Sequence, residues 1–131
     1  MTAARNAYRY LTVVLAADIV VQFFLAGAGT FRAGPGKAAR DSSAFDPHRA
    51  NGSLIQVLAL LLLLSAIAAH NGRWKPALAV FLLSIVQILL ATSGWVGGLH
   101  PIGGLVLMGL VGWMAHDAWR GQAHATVASS P

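Results

Sequence analysis

Apolar residues fill four long stretches of this chain, and the polar residues are gathered between them. The first stretch, at about residues 10–29, is interrupted by Asp18 and Gln22. From Ala50 to Gly72 no Asp, Glu, Lys or Arg occurs, and none occurs again from Pro76 to His116. That last interval is 41 residues long, and Gly94, Gly97, Gly98 and His100-Pro101 mark a turn in its middle. A helix needs about 20 apolar residues to cross a bilayer. Four spans therefore fit, at about 10–29, 50–70, 75–96 and 100–119. Within lipid only helices and closed barrels satisfy the backbone, and these runs are too long and continuous for barrel strands. The pattern predicts an all-α, four-helix transmembrane bundle over residues 1–121, with a disordered tail at 122–131.

Local signals place the element ends. Asp46-Pro47 reads as an N-cap followed by the proline favoured at the first helical position. Asn71-Gly72 is a turn signal. Arg73-Trp74-Lys75-Pro76 reads as a basic, aromatic interface before the next helix, and Trp113 and Trp119 mark the far interface of the last one. The N-terminal stretch has a basic start and a small-residue triplet, as a signal peptide would. Asp18 and Gln22 break its apolar region, so it is read as a span.

Composition agrees with this class. The 131 residues are 56% hydrophobic and 10% charged, with a mean hydropathy of +0.65; soluble domains run near 25% charged. No Cys is present, which excludes disulfides, thiolate ligands and thiol nucleophiles. The net charge of +5 is read as loop residues facing lipid headgroups and not as a nucleic-acid surface. Lys and Arg counts place both termini on the cytoplasmic side, five against four.

The chain also repeats itself. Val21–Gly29 reads VQFFLAGAG and Val86–Gly94 reads VQILLATSG, sharing Val, Gln, Leu, Ala and Gly in register. Each is followed by a helix opening on His-x-x-x-Gly: His48 with Gly52, and His100 with Gly104. A duplicated hairpin gives a pseudo-two-fold axis along the membrane normal, relating Gln22 to Gln87 and His48 to His100.

His48 and His100 are the leading candidates. They fall at the same end of the bundle, and Gly52 and Gly104 would leave room beside them for a flat group. Two neutral imidazoles from facing helices can hold a haem iron or another transition metal. The competing reading makes them interfacial residues bonded to loop carbonyls. An inner pair, His70 and His116, is not supported: at 100° per residue, His116 lies about 160° from His100. Asp18, Gln22 and Gln87 form a second polar set, either ligand-binding or packing helices through hydrogen bonds. Asp46 and Arg49 flank His48 and could orient its ring. No phosphate loop, Ser/His/Asp set or zinc-protease motif occurs, so the chain is not read as an enzyme on its own.

The series LAGAGTF, FDPHRANG and LHPIGG resembles an uncharacterised family of small bacterial four-helix integral membrane proteins. His48-Arg49 opening an apolar helix is more distantly similar to haem A synthase and other bis-histidine b-type cytochromes, although Asp46 is closer to His48 than the acidic residue in those proteins. The first resemblance implies a bacterial inner membrane; the second implies haem b on His48 and His100. The expected partner is the lipid bilayer, with a second copy or a redox partner left open. A cofactor-free accessory subunit and a small transporter using Asp18, Gln22 and Gln87 are the alternative functions.

Overall fold

A computed structural model describes residues 2–35, 42–70 and 72–128. Four helices form: α1 (Thr2–Ala33), α2 (Asp46–Ala68), α3 (Trp74–Ala91) and α4 (His100–Ala128). Short 3-10 turns at Ser43–Phe45 and Gly94–Leu99 lead directly into α2 and α4. All four helices are long and apolar enough to cross a membrane. At 1.5 Å per residue α1 is about 48 Å long, more than the roughly 30 Å hydrocarbon thickness, so its ends extend beyond it. The expected all-α four-helix bundle is therefore what the chain forms. α4 runs on past Gln122 as far as Ala128. Residues 129–131 of the expected tail lie outside the described residues, as do Asn71 of the turn signal and Lys37, Arg40 and Asp41, which entered the orientation count.

The helices pack in a ring, α1 on α2, α2 on α3, α3 on α4 and α4 on α1, with no backbone contact across either diagonal among the described residues. Short connections between antiparallel helices produce this order. The core is a column of Leu15, Ile19, Ala59, Leu62, Ala66, Ala77, Val80, Val111 and Met114, all essentially inaccessible. Small residues let the backbones approach where packing, and not water, drives association. Thr12, Ser65 and Ser84 are also buried. Each turns its hydroxyl back to the carbonyl three residues earlier, at 2.7, 2.8 and 2.7 Å, so none is left unpaired. Outside, Val20, Phe24, Leu64, Leu89 and Leu105 are exposed. A polar exterior, which water would require, is absent from the sides of the bundle and appears at its ends.

At the end that carries the first residues of α1, Arg73 pairs with Asp117 and stands 5.9 Å over the ring of buried Tyr8. Arg9 lies 4.4 Å over Trp119, which also meets Tyr10 edge-on. These contacts tie α1, α4 and the α2–α3 connection together. His70 sits just past α2 with φ +47° and its Nδ1 3.1 Å from the Ala68 carbonyl. It closes the helix and is exposed. His116 is exposed too, so the two form no inner site.

At the other end, one expectation is corrected. Asp46 is not the cap of α2; Phe45 holds that position, with no side-chain bond. Because the 3-10 turn runs straight into the helix, the capping hydroxyl sits earlier: Ser42 Oγ accepts from Ala44 N at 3.3 Å. Asp46 occupies the first turn, where an acidic group suits the helix dipole, and pairs with Arg49. Arg49 also donates to the Ser42 carbonyl at 3.1 Å. The Phe45 ring then lies flat against α1 at Gly29, where a Cβ would stand 2.8 Å from the ring.

A Gly29→Ala substitution must push that rigid ring away. The expected cost is about 1–3 kcal/mol, read as a lower unfolding midpoint in a detergent titration. In a Phe45→Ala background the same substitution should be nearly neutral; equal costs in both backgrounds would contradict this contact.

Candidate functional site

The site is built from one residue of each helix. His48 opens α2 and His100 opens α4, on opposite corners of the ring, yet their imidazole centroids are 6.0 Å apart with ring planes at 79°. They meet across the bundle axis. Gln22 of α1 and Gln87 of α3 occupy the other two corners.

Each imidazole is fixed in the same way. His48 Nδ1 is 3.2 Å from the backbone carbonyl of Gln22. His100 Nδ1 is 2.9 Å from the backbone carbonyl of Gln87. A carbonyl can only accept, so Nδ1 carries the hydrogen in both rings; in a neutral imidazole that leaves the lone pair on Nε2. The residues that the sequence repeat pairs, Gln with Gln and His with His, thus make the same bond twice. Metal-ligating histidines are oriented by this kind of Nδ1–H contact.

The glutamine side chains are the other half of the site. Gln22 Nε2 stands 3.4 Å from His48 Nε2, while its buried Oε1 has no hydrogen-bond partner. Gln87 is only 7% exposed, and neither Oε1 nor Nε2 of its carboxamide finds a partner. Buried polar groups are almost always paired, and these three unsatisfied atoms lie on the two residues that hold the imidazoles.

The glycines differ from expectation at one position. Gly52 does face this site: Gln22 Nε2 is 3.4 Å from where its Cβ would be. Gly104 does not. The Phe23 ring of α1 stands 3.2 Å from its Cβ position, so the space there is filled. The counterpart of Gly52 is Gly103, where a Cβ would collide with Gln87 Nε2. Gly103 and Gly104 are adjacent on α4 and so point to different neighbours, the first to α3 and the second to α1. The repeat aligned His-x-x-x-Gly by sequence distance, and the contact uses His-x-x-Gly on α4.

The remaining candidates are placed as follows. Asp46 is exposed and paired with Arg49, while the His48 ring meets Gln22, Phe45 and His100. Asp18 lies one turn from Gln22 on the same face of α1, with Oδ2 buried and without a hydrogen-bond partner. Asn51 of α2 donates to its backbone carbonyl at 3.4 Å. Asn51 and Phe23 were not singled out from the sequence, and Gly103 was read only as a helix-packing position. Asn51 carried a signal, since it falls one turn after His48.

Among the described residues no three His, Cys, Asp or Glu side chains converge. A zinc site built from those residue types alone, which takes three or four protein ligands, is therefore not formed there. His48 and His100 are the two residues here that could hold a haem iron or a lone metal ion.

Ring ¹⁵N shifts of the purified protein should show a hydrogen on Nδ1 of both His48 and His100. Nδ1 without a hydrogen in either ring would contradict the bonds described.

No curated protein and no solved structure matches the chain. Residues 22–93 match a family of unknown function, DUF6220. The match starts at Gln22 and includes His48 and Gln87, and it covers more than half of the 131 residues. The chain belongs to this family of unknown function.

Proposed function

We propose that this is a small multi-span protein of the bacterial inner membrane, with both termini cytoplasmic, that holds a transition-metal centre between His48 and His100 near the outer face. The metal is the iron of haem b or a lone ion; the protein chemistry common to both is a pair of neutral imidazole ligands. The observation that supports this reading is the duplicated Nδ1–H to carbonyl bond, which in neutral imidazoles leaves Nε2 of each ring as the ligand atom. In the haem form, the iron would supply one-electron chemistry, and His48 and His100 would hold it.

Protein purified from haem-replete cells should show a Soret band and a reduced-minus-oxidised α-band, or a stoichiometric metal by elemental analysis. His48→Ala and His100→Ala should each abolish the signal, and His116→Ala should leave it unchanged. Absence of both haem and metal would sink the reading and leave a cofactor-free accessory membrane subunit.

A further inference from the structure

We propose that the centre is a lone divalent cation, completed by the carboxamide oxygens of Gln22 and Gln87 into a four-ligand site with one ligand from each helix. This rests on the reading of the histidine pair as a metal site and selects between its two forms.

Three observations lead here. The first is the contact between the Gln22 carboxamide and His48 Nε2. At 3.4 Å it is long for a hydrogen bond. Two ligand atoms sharing one tetrahedral ion at about 2.0–2.1 Å stand roughly 3.4 Å apart. The two ends of a carboxamide exchange by rotation about its terminal bond, and that rotation would put Oε1 where Nε2 stands.

The second is the set of unsatisfied atoms. Gln87 is more than nine-tenths buried with its whole carboxamide unpaired; the carboxamide packs against Gly103, one turn from His100, and the Gln87 backbone carbonyl holds the His100 ring. Gln22 Oε1 is buried and unpaired as well. A cation would satisfy both oxygens at once.

The third is the space around the rings. Gln22 packs over Gly52, Gln87 over Gly103 and Phe23 over Gly104. The flanks of the histidine pair hold side chains, where a porphyrin would need an open slot.

Imidazole nitrogens suit Zn²⁺, Ni²⁺ and their neighbours, while carbonyl oxygens suit harder ions. A mixed N₂O₂ set fits a borderline first-row dication such as Zn²⁺ or Co²⁺. All four ligands are neutral, so the site would bind weakly by the standard of structural zinc sites.

Co²⁺ is a suitable probe because a tetrahedral complex has intense visible d–d bands and an octahedral one has weak bands. The full chain in nanodiscs should bind one Co²⁺ with the intense spectrum, and Zn²⁺ should displace it. Gln22→Leu and Gln87→Leu should each weaken binding by about tenfold or more. Gln22→Glu and Gln87→Glu should tighten it, since an anionic oxygen replaces a neutral one; a packing role for the glutamines would not produce that gain. A weak octahedral spectrum, or affinity unmoved by all four glutamine variants, would overturn the proposal. Haem bound through His48 and His100 would also overturn it while sustaining the broader metal-centre reading. No binding of haem, Co²⁺ or Zn²⁺ would remove both.

Discussion

Two hydrogen bonds set the arrangement of one whole end of this bundle. The carbonyls of Gln22 and Gln87 belong to helices already formed, and each accepts a second hydrogen from the imidazole that opens the following helix. The bond fixes where α2 sits along α1 and where α4 sits along α3. It also turns each ring inward and fixes its tautomer. Because the same bond occurs in both halves, the two rings meet across the diagonal, although the backbones of α2 and α4 do not touch among the described residues.

The glutamines therefore act twice, through the backbone and through the side chain. The backbone role is satisfied; the side-chain role is not. Carboxamides this deeply buried are placed at a cost unless something pairs with them. Gly52 and Gly103 make room for them, so the small residues here serve contact with polar side chains. Elsewhere the packing is ordinary for helices with an apolar exterior: a narrow column of Leu, Ile, Val and Ala, hydroxyls bonded to their own helix, and charges and aromatic rings at the ends.

The internal repeat was the most informative feature of the sequence. VQFFLAGAG and VQILLATSG named Gln22 and Gln87 as equivalents before any geometry was known, and the His-Pro and Pro-His helix starts named His48 and His100. Helical phase also separated His116 from His100 correctly. It could not treat His70, which lies beyond the end of α2 in a left-handed conformation, where a constant turn per residue no longer applies.

The sequence by itself determined the helix count, the class and the paired residues, because each follows from a one-dimensional regularity: run length, missing charge, or a repeated string. Only the tertiary structure decided which neighbour each side chain meets. Gly104 and Gly103 are one residue apart, and the placement of α4 between α1 and α3 gives Phe23 to one and Gln87 to the other. Asp46 yielded its expected capping role because the 3-10 turn before α2 moved the cap to Ser42. The unpaired state of Gln22 Oε1 and of the Gln87 carboxamide is likewise a property of four helices together. A string shows which residues can pair; the distances among all four chain segments show which ones have nothing to pair with.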